Sequence, residues 1–103
     1  MTVTGPGPDF SWQAQMGYTR HELIRGLPRA VAPYRVLDPS ANPVEIVLDS
    51  RIVRFYTGQA GFRAIASMRI PVIPVKLEFF GFSNDQYDAF LHRFRTYMQK
   101  GGG

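Results

Sequence analysis

The residue types that most often carry catalysis are scarce in this chain of 103 residues. It has no cysteine, which excludes a thiol nucleophile, a thiolate metal site and a disulfide framework. The two histidines, His21 and His92, do not form a metal-ligand pair such as HxxxH. Ser83 lacks the Gly-x-Ser-x-Gly turn of a hydrolase, and no P-loop or GxGxxG motif is present. The sequence therefore predicts a non-catalytic protein with no metal and no cofactor.

Arginine is the side chain with the most binding chemistry to offer. Ten of the twelve cationic residues are arginine, and the formal net charge is +4. Guanidinium groups pair with carboxylates and phosphates through two hydrogen bonds and stack on aromatic rings. An arginine-rich surface therefore suits protein interfaces and polyanions. A bacterial genome rich in G and C produces the same composition without selection for binding.

The length of the chain predicts one domain. A hydrophobic content of 45% with 14% aromatic residues is typical of globular proteins. We expect a flexible N-terminal segment at 1–9, a single domain at 10–100 and a flexible glycine tail at 101–103. The first residues lack the basic and apolar parts of a signal peptide, and no apolar run is long enough to cross a bilayer. The sequence thus predicts a cytoplasmic protein without a membrane partner.

Two capping boxes predict two helices. Thr19 with Glu22 begins the first, and Ser83 with Gln86 begins the second. Gly101 is expected to end the second helix. Its apolar side chains recur at helical spacing and should pack on a core. They are Tyr87, Phe90, Leu91, Phe94, Tyr97 and Met98.

A period of two between these helices predicts strands. Pro71 and Pro74 cannot donate to a ladder, so the start of the last strand is expected at an edge or at a bulge. The fold class is α+β: a single antiparallel sheet of four to five strands with two helices packed on one face, in the order strand, helix, four strands, helix. This order resembles the repeat unit of the TATA-binding-protein-like fold, a likeness of topology that implies no function. The predicted strands are 10–17, 44–49, 51–56, 62–70 and 72–80, and 34–37 is either a further short strand or the lead-in to 44–49.

The last third of the chain also carries a resemblance. It rests on Gly-Phe-Ser at 81–83, Phe-Leu at 90–91, Arg-Phe at 93–94, Tyr97 and Gln-Lys-Gly-Gly-Gly at 99–103, together with Arg-Ile-Pro-Val at 69–72. These stretches are similar to a group of short bacterial proteins to which no function is assigned. The resemblance implies neither an activity nor a set of binding residues.

The sheet face away from the helices is the candidate interaction face. In the strand at 62–70, Phe62, Ala64, Ala66, Met68 and Ile70 are expected to point toward the helices, because side chains alternate along a strand. The outward residues combine positive charge with aromatic and aliphatic groups. They are Ile52, Arg54, Tyr56, Arg63, Ile65, Arg69, Lys76 and Phe80.

Three hypotheses fit this face. The first is protein association, as a homodimer or an accessory subunit, in which Glu45, Asp49 and Glu78 pair with arginines across a two-fold axis. The second is binding of single-stranded nucleic acid, which requires a continuous positive groove. The third is a small ligand held between sheet and helices above Ala64 and Ala66. Because three carboxylates interrupt the positive charge, the sequence favours protein association.

Overall fold

The computed structural model describes residues 7–102 and confirms the α+β class. Six strands form an antiparallel sheet in the order β1-β6-β4-β3-β2, and β5 pairs with β6. Five strands lie between the two helices, one more than predicted. The elements are β1 (Phe10–Met16), α1 (Arg20–Ala30), β2 (Arg35–Val36), β3 (Val44–Leu48), β4 (Arg51–Thr57), β5 (Gly61–Ile65), β6 (Met68–Phe80) and α2 (Asn84–Gly102).

Both predicted capping boxes are present. The Thr19 hydroxyl accepts from the amide of Glu22 at 3.1 Å, and the Glu22 carboxylate accepts from the amide of Thr19 at 2.9 Å. Ser83 and Gln86 make the same two bonds at the start of α2. At its other end α2 includes Gly102, so the helix passes the expected end at Gly101.

The predicted flexible segments lie largely outside the described residues. This is true of residues 1–6 and of Gly103. Asp9, the last residue of the predicted segment 1–9, is held in the fold. Its carboxylate accepts from the amides of Gly81 at 2.6 Å and Phe82 at 3.3 Å, and its own amide donates to Phe79. Asp9 thus ties the start of β1 to the connection between β6 and α2.

The core lies between the helices and one face of the sheet. Alternate residues of β6 point to the helices and are buried, and Phe79 lies at the centre with no exposed surface. The rings of Phe82, Tyr87 and Phe90 contact Phe79 edge-on, with centroids 5.1, 4.8 and 5.3 Å away. The remaining buried helix residues of the core are Leu23, Leu27 and Ala30 from α1 with Phe94 and Met98 from α2.

The predicted strand at 62–70 is instead the tip of a hairpin. Ala66 and Ser67 form a two-residue turn between the paired residues Ile65 and Met68. Ala66 has a φ of 55°, in the left-handed region that favours glycine. The expected inward set is therefore wrong, because the hairpin extends past the helices. Phe62, Ala64, Ala66 and Met68 are exposed and Ile70 is only half-buried.

A bulge separates this hairpin from the main sheet. β4 and β5 pair with the same edge of β6. Between the two paired stretches, the three residues 58–60 lie opposite only two residues of β6, 73–74. The amide of Gly58 donates to the carbonyl of Pro74 at 2.9 Å. The bulge predicted from the prolines is therefore present. Beyond it β1 no longer pairs with β6, since their register ends at Met16 and Ile73. We call β5 with residues 66–72 the arm.

Candidate interaction surface

Five of the eight predicted site residues lie together on the sheet face opposite the helices. β4 contributes Ile52, Arg54 and Tyr56, and β6 contributes Lys76 and Phe80. Cross-strand register places Ile52 beside Phe80 and Tyr56 beside Lys76. Glu78 joins them, because it lies opposite Arg54. We call these six residues the open face.

The charges on the open face are paired with one another. The Arg54 guanidinium lies 3.5 Å from the Glu45 carboxylate and 5.0 Å from the centroid of the Phe80 ring. The Lys76 ammonium lies 3.3 Å from Glu78. Exposed ion pairs of this kind contribute about 0–1 kcal/mol to stability. Their larger effect here is to neutralise the face, so these two cations do not form a continuous positive groove.

Tyr56 is fixed at the centre of the open face. Its hydroxyl donates to a Glu78 carboxylate oxygen at 2.9 Å, and the Lys76 ammonium lies 5.8 Å from its ring centroid. Burial raises the pKa of Tyr56, and the hydrogen bond to Glu78 raises it further. The phenol therefore remains protonated and continues to donate to Glu78 at neutral pH.

One side of the arm is apolar and uncovered. Cross-strand pairing places Arg63 beside Ile70 and Ile65 beside Met68, with Val72 next along β6. Side chains alternate along a strand, so this side of the arm continues the open face past the bulge. Ile65 and Met68 are 50% and 63% exposed, so most of the apolar surface at the tip of this side faces solvent.

The other side of the arm carries Arg69 and Phe62. The Arg69 guanidinium lies 4.4 Å from the Phe62 ring centroid, and that ring is 62% exposed. The structure thus brings Arg63 and Ile65 to the side of the open face but places Arg69 on the opposite side, which corrects the prediction for Arg69. The hypothesis of a ligand above Ala64 and Ala66 is also wrong in its position, because both residues lie on the arm rather than under a helix.

Three residues of this surface were missed by sequence reasoning: Met68, Ile70 and Val72. A signal for them exists in the sequence. Lys76 and Phe80 point outward in β6. When this alternation is continued backward through the two prolines, it assigns all three residues to the open side. Treating Pro71 as a break between two strands concealed this continuity.

The junction of open face and arm forms a shallow cavity of about 410 Å³. Tyr56 and Lys76 line it from the open face, and Gly58 and Pro74 line it from the bulge. Within residues 7–102 there is no group of three or more histidine, cysteine or acidic residues that could hold a metal ion. Neither helix there has the length and apolar character that crossing a membrane requires.

No family model, curated protein or solved structure matches this chain. Its function must therefore be inferred from the chemistry of its own surface.

Proposed function

We propose that this chain is a non-catalytic, cytoplasmic binding protein that acts as an accessory subunit. It takes an acidic protein segment with apolar side chains across the arm and the open face. The observation that carries this proposal is the apolar side of the arm, where Ile65 and Met68 are exposed beside the half-buried Ile70 and Val72, in continuity with the open face.

The stability of the arm supports a protein partner. A two-stranded hairpin is marginal in water when nothing packs on it. Fully burying an aliphatic or methionine side chain contributes roughly 1.5–3 kcal/mol. Ile65 and Met68 are at least half exposed, so much of this free energy is gained only when a partner covers them. A partner that covers these side chains therefore stabilises the arm and the complex together.

The charge of the surface supports an acidic partner. Arg63 lies among the apolar residues of the arm, and the ion pairs of the described chain do not include it. Its guanidinium group can therefore donate to a carboxylate of a partner protein. A second copy would bring the same arginine to this surface, which disfavours self-pairing here. Arg54 and Lys76 are occupied by carboxylates, which argues against a nucleic-acid groove.

The two arm arginines provide a matched test. The probes are a short fluorescent peptide in which leucine alternates with glutamate, and its counterpart with lysine. We expect the wild type to prefer the glutamate peptide. Arg63→Glu should weaken its binding by about tenfold, the cost of one charged contact. Arg69→Glu changes the net charge equally on the opposite side of the arm and should leave binding nearly unchanged.

Equal effects of the two substitutions would contradict the proposed surface. A single-stranded oligonucleotide should bind weakly. If it binds more tightly than either peptide, with an affinity that falls steeply with salt, the nucleic-acid alternative replaces this proposal. Tyr56→Ala tests the open face separately, because it removes the central ring without altering the arm.

A further inference from the structure

β1 is a long edge strand with none of the usual protection. Among residues 7–102 it pairs only with β6, and its register from Phe10 to Met16 is unbroken over seven residues. The opposite edge of the sheet, β2, has only two residues. Natural edges are usually blunted by charged residues, proline, a bulge or shortness. β1 has none of these, since its sequence is Phe-Ser-Trp-Gln-Ala-Gln-Met.

The outward backbone groups of β1 can be assigned from the ladder. Pro74 accepts from Gly58 on the β4 side of β6. The amide and carbonyl of successive residues in a strand point to opposite neighbours, so those of Val75 point to β1, where Val75 is paired with Ala14. The amides and carbonyls that point away from the sheet therefore belong to Ser11, Gln13 and Gln15.

The core beneath this edge is incompletely covered. Phe10, Trp12 and Met16 point to the helices but are only half-buried, whereas their cross-strand partners on β6 are all buried. These partners are Phe79, Leu77 and Ile73. A groove of about 310 Å³ runs between β1 and α2, and Arg95 lines it. An additional strand beside β1 would cover this groove.

The adjacent side of α2 is complementary to itself. Asp88, Leu91 and Arg95 share one surface depression, which indicates that they lie on one side of the helix. Asp88 and Arg95 lie about 10 Å apart along the axis. The ion pairs of the described residues include neither side chain. This stripe is acidic at one end, apolar in the middle and basic at the other.

The direction of α2 relative to β1 decides how two such stripes meet. Tyr87 stacks on Phe10 at 4.4 Å, and Phe94 lies 5.9 Å from Trp12 further along, so α2 and β1 run in the same direction. If two β1 strands pair antiparallel about a two-fold axis at Ser11, which lies between Phe10 and Trp12 and so level with Leu91, the two α2 helices also run antiparallel. Asp88 of each copy then faces Arg95 of the other, and the two Leu91 side chains meet near the axis.

We propose that two copies of this chain associate through β1, edge to edge and antiparallel, with Asp88 of each copy paired to Arg95 of the other. A two-fold interface uses the same patch on both subunits, which requires a self-complementary patch such as this stripe. The pairing joins two six-stranded sheets and keeps both open faces on one side. It uses a surface separate from the one in the proposed function.

Charge exchange gives the sharpest test. Asp88→Arg makes position 88 positive opposite Arg95, and Arg95→Asp makes both positions negative. Each single variant should dimerise about tenfold more weakly than the wild type. An equimolar mixture of the two variants restores opposite charges in both pairs. Sedimentation velocity should therefore show dimers in the mixture and fewer in either variant alone.

Ser11→Pro tests the strand pairing. It removes one outward amide and no bond to β6, so the dimer should dissociate while the fluorescence of Trp12 stays native. Arg63→Glu is the control, because it lies on the arm and should leave the dimer unchanged. A wild type that sediments as a monomer at high concentration overturns the proposal, and so does a mixture that dimerises no better than the single variants. Neither result affects the proposed function at the arm.

Discussion

Phe79 and Phe80 are adjacent in β6 but point to opposite faces of the sheet, and this assignment determines the open face. Phe79 has no exposed surface and touches three aromatic rings edge-on. Phe80 is half-buried, and its ring lies 5.0 Å from the Arg54 guanidinium. Truncating each phenylalanine to alanine should therefore have very different effects on stability.

The magnitudes follow from burial. Removing a fully buried phenylalanine ring costs about 3–5 kcal/mol of unfolding free energy, including the cavity that remains. Domains of this size have about 5–15 kcal/mol in total, so Phe79→Ala leaves little stability. Phe80→Ala loses part of a solvated ring and one cation–π contact of about 0.5–1 kcal/mol. We expect Phe80→Ala to cost about 1 kcal/mol or less.

Urea unfolding followed through Trp12, the single tryptophan, measures both changes. With a urea dependence of about 1–3 kcal/mol per M, Phe79→Ala should lower the midpoint by about 2–3 M and Phe80→Ala by about 0.5 M. If Phe79→Ala is unfolded without urea, Phe79→Leu should still shift the midpoint more than Phe80→Leu. Equal shifts, or a larger shift for Phe80, would refute the face assignment and the open face with it.

Three further predictions test separate features. Ala66→Gly should raise stability by about 0.4–1 kcal/mol, because φ at this turn is 55°; slower hydrogen exchange in the arm would show it, and faster exchange would contradict it. Asn42 donates to the carbonyl of Thr57 at 2.8 Å and accepts from its amide at 3.1 Å, so Asn42→Asp should cost about 1–3 kcal/mol in thermal unfolding. Burial and Glu78 raise the pKa of Tyr56 above the unfolded value of 10.0, so the unfolded state loses this proton first and stability falls as pH rises through 10.0. Tyr56→Phe should reduce that fall in urea midpoint, and an unchanged pH profile would contradict the assignment.

Sequence patterns predicted the parts of the fold that local chemistry determines. The cap at Thr19 needs only neighbouring residues, and the inward and outward sides of β4 follow from alternation over a buried core. The hairpin of the arm could not be predicted from such local patterns. Its turn at Ala66 and Ser67 lacks glycine, asparagine, aspartate and proline, so serine is the single residue in it that favours turns. β5 instead follows the edge of β6 to which β4 is already paired, and the β4–β6 pairs join residues 18 to 28 positions apart in the chain.

The residues of the candidate site were predicted only in part, for the same physical reason. Ile52, Arg54 and Tyr56 were placed correctly because β4 is covered on one face along its whole length. Arg69 was misplaced because the arm has no buried face of its own, so its sides follow only from the alternation of β6 beyond Pro71, where the sequence prediction places a strand boundary. Alternation distinguishes the two sides of a strand but cannot tell which side meets a core when there is none.

The arm also has an evolutionary consequence. Residues 61–69 are all exposed, so none of them contributes to the hydrophobic core. Substitutions there can alter what is recognised while the rest of the molecule folds as before. Insertions at the tip should likewise be tolerated, since exposed loop tips accept additional residues most readily. Recognition and foldability are thus encoded in different parts of one chain, and selection can change the first without risking the second.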